Sequence, residues 1–170
     1  PVAGSSAVKG GIMFTPTKPP KYLVCVDNRE ECRAALALCC MKALARSGSV
    51  EMLHVTPPAD FQTLGGIADR IRNERRREGE DLLNTLMAEC EKQFGIRPGA
   101  QLREGAVGEE IIHATTRDPD AIMLVIGIAH APGARGSLAS WLAGQLGSKL
   151  PIPLLLVPGN LTQQQLVQLI

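Results

Sequence analysis

An acidic residue and a glycine each close an apolar segment of this chain. Asp27 ends the run KYLVCVD, and Gly127 follows the run AIMLVI. If both runs are strands of a parallel sheet, their carboxyl ends meet at one edge, where α/β proteins bind ligands. Asp27 and Gly127 therefore mark a candidate ligand site, and a nucleotide is a ligand that such an edge accommodates.

The loop after Gly127 carries residues that could bind a phosphate group. Gly133 and Gly136 would let backbone N–H groups approach phosphate oxygens closely, and Ser137 would add a hydroxyl donor at a helix N-terminus. Arg135 would supply positive charge. The same loop also has the composition of a simple connector in which Ser137 only caps the following helix. The residues alone leave both interpretations open.

The three histidines lie in different settings. His54 falls in the alternating pattern of a strand, His113 in a short helix, and His130 in the candidate ligand loop. No recognisable motif places a serine, cysteine or carboxylate beside His130, so a hydrogen-bonding role is favoured over a catalytic one.

The five cysteines indicate reduced thiols. They include no CxxC pair, and no histidine stands at metal-ligand spacing from them. Cys32, Cys39 and Cys90 fall on apolar faces of predicted helices, where a free cysteine packs as a small hydrophobic residue. We therefore expect a cytoplasmic protein without a metal site.

Five arginines lie between positions 70 and 77, in a segment with helical periodicity. Several of them have an acidic residue four positions later, a spacing that forms ion pairs along a helix. The predicted pairs are Arg70 with Glu74, Arg76 with Glu80, and Arg77 with Asp81. The pattern favours a solvated helix face over an anion or partner site.

The composition is that of one ordinary globular domain. A length of 170 residues with 45% hydrophobic content is enough for a single core. The formal net charge of +1 provides no field to attract nucleic acid or an anionic membrane, and 3% aromatic residues provide few stacking platforms. The apolar stretch Leu150–Val157 is far shorter than the roughly 20 residues of a membrane span. We expect neither nucleic acid nor membrane as a partner.

Strands and helices alternate along the chain. The predicted strands are Lys21–Asp27, Val50–Val55, Ala100–Glu104, Ala121–Ile126 and Ile152–Val157, and the predicted helices are Arg29–Arg46, Ala68–Phe94, Gly108–Thr116 and Ser137 to about Lys149. This alternation predicts an α/β domain with a doubly wound, five-stranded parallel sheet and helices on both faces. Gly79 could interrupt or bend the second helix.

The two ends of the chain differ in composition from the strand and helix segments between them. Residues 1–20 mix Gly, Ser, Pro and Lys and are expected to form a flexible tail. Residues 159–170 could form an extra helix capped by Thr162, and its apolar side chains would need a surface to pack on.

The sequence between Lys21 and Pro158 resembles the universal stress protein family. The resemblance rests on VCVD, LHV, LREG followed by GEEI, LVIG and PIPLLLVP, which occur in the family's order between Lys21 and Pro158. Each motif is weak alone, but their order and spacing together are specific. The resemblance implies one domain over 21–158 with the adenine nucleotide alpha hydrolase-like form of the doubly wound fold. It also implies a homodimer that pairs through the last strand, Ile152–Val157.

The resemblance also assigns roles to site residues. In nucleotide-binding members, an acid like Asp27 contacts the ribose region, and a valine like Val55 holds adenine through backbone atoms. A glycine like Gly127 opens a phosphate-binding motif of the form G-x2-G-x9-G-[ST]. All three of these residue types are present here.

The rest of that motif is degenerate. The second glycine position holds His130, and the last two positions hold Ser140 and Trp141. A tryptophan at that place would crowd the phosphates of ATP. Using Gly133, Gly136 and Ser137 instead would require a shifted register, so the connector interpretation is favoured.

These residues lead to three functional hypotheses. The first is a non-enzymatic, homodimeric protein of the stress response that does not bind ATP in the usual way and needs no cofactor. The second is a switch that binds ATP or ADP through Asp27, Val55, Gly127 and a rebuilt loop from His130 to Ser137. The third is a weak nucleotide hydrolase, which would release phosphate in a reaction dependent on Asp27 or His130.

Overall fold

The computed structural model describes residues 17–58, 66–129, 144 and 147–170. Strands and helices alternate through residues 21–128 as the sequence predicts. The strands are β1 (Lys21–Cys25), β2 (Ser49–Thr56), β3 (Gly99–Glu104), β4 (Ala121–Ile128) and β5 (Leu154–Pro158), and the helices are α1 (Glu31–Ala45), α2 (Gly66–Phe94), α3 (Val107–Arg117) and α4 (Gln163–Val167).

The five strands form one parallel sheet in the order β3-β2-β1-β4-β5. Central β1 pairs with β2 on one side, where Leu23 lies opposite Glu51, and with β4 on the other, where Leu23 lies opposite Leu124. The sheet thus extends from β1 in both directions. The predicted doubly wound sheet is confirmed, and its topological switch point lies between β1 and β4.

Helices cover both faces of the sheet because successive strand side chains point to opposite sides. Tyr22 and Val24 pack with buried residues of α1, α2 and α4 on one face. Leu23 packs with Ile111 and Ala114 of α3 on the other face. Burial on both faces explains why the central strands read as unbroken apolar runs.

Two predicted strands lose two residues at one end, and β4 extends two residues past its predicted end at Ile126. β1 ends at Cys25 instead of Asp27, because the Asp27 carboxylate turns to accept hydrogen bonds from Arg29. β5 begins at Leu154 instead of Ile152, because the chain bends at Pro151 and Ile152 before the strand starts. The predicted helix from Ser137 lies almost wholly outside the described residues, and residues 147–149 form a turn.

Helix α2 runs without interruption through Gly79, so the predicted break does not occur. Gly79 is buried where the helix crosses β2 and β3. A Cβ atom at this position would lie 2.7 Å from Leu102 Cδ1 and 3.1 Å from His54 Cδ2. The glycine therefore allows close approach of the helix to the sheet.

One of the three predicted arginine pairs forms on α2. Arg76 Nε lies 3.0 Å from Glu80 Oε1. Within the described part of the chain, no ion pair joins Arg70 to Glu74 or Arg77 to Asp81, so these two predictions are wrong. Fully solvated side chains gain little from such pairing.

The C-terminal helix α4 packs against its own chain. Thr162 accepts a hydrogen bond from the Gln165 backbone N–H at 3.3 Å, and Gln165 Oε1 accepts one from the Thr162 N–H at 2.8 Å. This capping box starts the helix at the predicted residue. Leu166 is buried in the same core as α1, and Lys42 of α1 donates to the Leu169 carbonyl. The apolar side of residues 159–170, expected to need a surface to pack on, thus packs on α1.

No helix among the described residues has the length and apolar character needed to cross a membrane.

Candidate functional site

A cavity of about 210 Å³ opens at the carboxyl edge of the sheet, beside the switch point between β1 and β4. Its lining combines the ends of β1, β2 and β4 with the first turns of α1 and α3. Asp27, Val55 and Gly127 all line it. The structure thus brings together three of the residues that the sequence singled out.

The inner wall of the cavity is apolar. Leu53, Ile111 and Ile126 come from the buried cluster between the sheet and α3, and Val107 adds the first residue of that helix. Burial, followed by the nearby charge of Asp27, raises the pKa of the Cys25 thiol in this wall to about 12. The thiol is therefore neutral near pH 7, and the wall suits a flat apolar body such as a nucleobase.

The acid of the cavity is held by an arginine that the sequence analysis did not single out. Arg29 Nε and Nη2 lie 2.7 Å and 2.6 Å from Asp27 Oδ2, and the Arg29 backbone N–H donates to Oδ1 at 3.0 Å. The hydrogen bond to Asp27 raises the pKa of Arg29. Both carboxylate oxygens thus have a partner, so a ligand must share Asp27 with Arg29 or displace the guanidinium.

Gly127 lies against the first turn of α1. A Cβ atom at this position would be 2.2 Å from the Glu31 carbonyl oxygen and 3.0 Å from Cys32 Cα. A Cβ atom on Gly159, just after β5, would meet the Glu31 side chain at 2.7 Å. The two glycines therefore let α1 dock closely on the ends of β4 and β5, which is a structural requirement independent of any ligand.

Two further polar side chains line the cavity and were not predicted as site residues. His54 Nδ1 lies 2.8 Å from the Val26 carbonyl oxygen, which fixes the ring against the backbone. Cys32 Sγ donates to the Asp27 carbonyl oxygen at 3.1 Å, and burial raises the pKa of this thiol. Both residues hold the turn that carries Asp27, a role that only the folded loop reveals.

The other predicted site residues lie outside the described residues. They are His130, Gly133, Arg135, Gly136 and Ser137. The phosphate-binding hypothesis for this loop therefore stays a prediction. The remaining histidine, His113, is exposed on α3 with Nδ1 3.4 Å from Glu110 Oε1, and no group of three or more potential metal ligands exists in the described ranges.

Comparison with solved structures places the fold among universal stress proteins. The universal stress protein UspA from Lactobacillus plantarum superposes with a TM-score of 0.69 at 15% identity, covering 84% of this chain and 99% of that one. A universal stress protein from Archaeoglobus fulgidus in complex with dAMP gives 0.58 at 20% identity, with 81% and 97% covered. A family protein from Arabidopsis thaliana with AMP bound gives 0.54 at 16% identity, with 82% and 92% covered. At such identities the likeness establishes the fold alone.

The sequence profile of one family spans most of the chain. No curated protein matches the sequence closely enough to count as a relative. The profile of the Universal stress protein family matches residues 20–158, which are the residues of the five-stranded sheet and its crossovers. The strand order, the cavity at the switch point and this match agree, and the chain belongs to the universal stress protein family.

Proposed function

We propose that this protein is a non-catalytic regulator of the stress response that binds an adenine nucleoside or its monophosphate, and not ATP, beside Asp27. The observation that carries the proposal is that the residues expected to hold the nucleoside are present together, whereas the phosphate-binding motif is degenerate. Asp27, Val55 and Gly127 line one cavity. The degenerate positions of the phosphate motif hold His130 and Trp141.

The size and charge of the cavity support a small ligand. Its volume of about 210 Å³ lies below the roughly 300–1,000 Å³ usual for drug-sized ligands. Asp27 and Glu31 contribute two negative charges to the described lining, against one positive charge from Arg29. A triphosphate tail would be repelled by this balance, whereas one phosphate could be neutralised by Arg29.

The nucleotides named in the related structures support the same ligand class. The Archaeoglobus fulgidus protein is in complex with dAMP, and the Arabidopsis thaliana protein has AMP bound. Both ligands are monophosphates of an adenine nucleoside. This fold can therefore bind an adenine nucleotide that has no triphosphate group.

Titration calorimetry with adenosine, AMP and ATP with Mg²⁺ tests the proposal. We expect saturable heat with adenosine and AMP, and at least about tenfold weaker binding of ATP because of the charge balance. Asp27→Asn should weaken AMP binding by about tenfold, the loss expected for a charge-assisted hydrogen bond. Asp120→Asn is the matched control, since Asp120 pairs with exposed Lys18 elsewhere on the surface. It should leave binding unchanged.

Each alternative gives a distinct result. ATP binding tighter than AMP binding would contradict the monophosphate assignment and favour a rebuilt phosphate loop. No heat with any of the three ligands would contradict nucleotide binding and leave a fold that acts through protein partners. Phosphate release from ATP, sensitive to Asp27→Asn, would contradict the non-catalytic assignment. Gly127→Val is unsuitable as a probe, because its side chain would displace α1.

We further propose a homodimer that pairs through β5 in a reducing cytoplasm. β5 is one of the two edge strands of the sheet, and an edge strand presents backbone groups that a second copy can pair with. All five cysteines are free thiols, as in proteins of reducing compartments. Light scattering should give twice the 18.1 kDa chain mass, and a monomer at all concentrations would overturn the dimer.

A further inference from the structure

A second cleft of about 290 Å³ lies at the same edge of the sheet, on the β3 side of β2. It is bounded by the N-terminal half of α2 and by the carboxyl ends of β2 and β3. Four arginines and two glutamates line it: Arg72, Arg75, Arg76, Arg103, Glu80 and Glu104. The described lining thus carries two more positive than negative side chains.

The phase of α2 places three of these arginines on the side of the helix that borders the cleft. Gly79, Leu83, Leu86 and Cys90 are the buried residues of the helix and repeat at steps of three and four. The same steps, counted back from Gly79, reach 76, 75 and 72. The arginines at these positions therefore lie on the same side of the helix as the buried stripe, where Arg72 and Arg75 are partly buried and Arg76 is exposed.

Most of the cleft's cations already have an acidic partner. Arg72 Nε lies 3.1 Å from Glu104 Oε1, and Arg76 Nε lies 3.0 Å from Glu80 Oε1. Arg103 Nη1 lies 3.4 Å from Glu110 Oε2 on α3. These pairs hold the walls of the cleft and leave little net charge of their own.

Arg75 has a different environment. Its Nη1 atom donates to the carbonyl oxygens of Pro57 and Pro58 at 3.3 Å and 3.4 Å. No carboxylate among the described residues lies within 4.0 Å of the Arg75 guanidinium, although its side chain is half-buried. Neutral carbonyl oxygens position this cation at the cleft but do not balance its charge.

We propose that this cleft binds a phosphate group, with Arg75 as the principal ligand-binding residue. A guanidinium offers paired N–H donors that match two phosphate oxygens, and Arg72 and Arg76 stand within one turn on the same side. The cleft shares no lining residue with the cavity beside Asp27. A third cavity of about 280 Å³ lies between them, lined by Arg75 on the cleft side and by His54 and Val55 on the other. The cleft would take free phosphate or the phosphate end of a small phosphomonoester.

Binding of inorganic phosphate and of pyrophosphate, followed by ³¹P NMR titration at low salt, tests the proposal. We expect saturable binding of one or both anions to the full-length protein. Arg75→Gln should weaken it by about tenfold or more, as expected when a charge-assisted hydrogen bond is lost. Arg77→Gln is the matched control, because it removes the same charge from the same helix outside the cleft. It should change the affinity by less than about twofold.

Other results would overturn the proposal. Equal weakening by Arg75→Gln and Arg77→Gln would indicate that the helix surface attracts anions in general. If neither anion binds saturably, the proposed site does not exist. Arg75→Lys controls for loss of folding, because it keeps the positive charge but loses the paired N–H donors of the guanidinium. Its phosphate affinity should fall between those of the wild type and Arg75→Gln. Asp27→Asn should leave phosphate binding unchanged, and a loss in that variant would assign the anion to the other cavity.

Discussion

Gly127 meets the first turn of α1 so closely that no side chain fits between them. The sequence places this glycine at the start of a phosphate-binding motif. A Cβ atom here would lie only 2.2 Å from the Glu31 carbonyl oxygen, which gives the glycine a second role, in packing. Packing against α1 requires a glycine here whether or not a ligand binds, so Gly127 by itself is a poor indicator of ATP binding.

Gly127→Ala should therefore lower the free energy of unfolding without any ligand present. We expect a loss of about 1–3 kcal/mol, the usual cost of forcing an extra methyl group into packed structure. Urea denaturation followed by circular dichroism measures it. Gly66→Ala is the control, since nothing lies within 4 Å of a Cβ atom at that first residue of α2. Equal stability of the two variants would mean that α1 does not rest on β4 as described.

The predicted site residues differ in how far sequence could locate them. Asp27, Val55 and Gly127 follow from the strand ends, because parallel strands must bring their carboxyl ends to one edge. Arg29 does not follow in this way. Its ion pair with Asp27 depends on the conformation of the turn between β1 and α1, and no periodicity encodes that turn.

At the scale of elements, the periodicity of α2 predicts the helix but not which arginines face the sheet. The i,i+4 spacing suggested that acids neutralise Arg70 and Arg77, yet both stay exposed on the outer side. The buried stripe through Gly79 and Leu83 decides the orientation. Counting back from that stripe would have separated Arg75 from Arg77, whereas charge spacing alone could not.

Helix α4 gives a test at this scale. Leu166→Ala should lower the free energy of unfolding by about 2–4 kcal/mol, because Leu166 is 3% exposed in the main core. Val167→Ala is the neighbouring control, with a side chain 50% exposed, and should cost less than about 0.5 kcal/mol. Chemical denaturation of both variants measures the difference. Similar small losses would mean that α4 does not pack on α1.

For the whole molecule, the alternation of strands and helices predicts a doubly wound sheet but not the full strand order. The composition of β3 (GAQLRE) differs from that of β5 (LLLVP), but neither sequence indicates which strand is its neighbour in the sheet. The order follows from the observed pairings of β1 with β2 and β4, of β2 with β3, and of β4 with β5. The sheet formed by this pairing, together with its covering helices, buries several thiols and the Tyr22 phenol.

Stability should fall at alkaline pH because of these buried acids. Burial raises the pKa of Cys25 to about 12, and burial also raises the pKa values of Cys32, Cys39 and Tyr22. Each group holds its proton more tightly in the folded state, so the unfolded chain ionises first as the pH rises. The free energy of unfolding should be level near pH 7 and should decrease from about pH 8 toward pH 12, because an unfolded thiol has a pKa of about 8.5.

Urea denaturation at a series of pH values measures this decline. Cys25→Ser should make the decline shallower, since it removes one of the groups while leaving the others buried. A flat stability profile from about pH 9 to about pH 11.5 would contradict the raised pKa values.

The position of β1 at the centre of the sheet also affects how the chain folds during synthesis. β1 begins at Lys21, and the strand that covers its other side begins at Ala121. Until β4 emerges from the ribosome, β1 can pair with β2 alone, and the backbone groups that will bind β4 stay open. Pairings so distant in sequence form slowly. The half-built sheet therefore exposes an unpaired edge at what becomes its centre until β4 is synthesised.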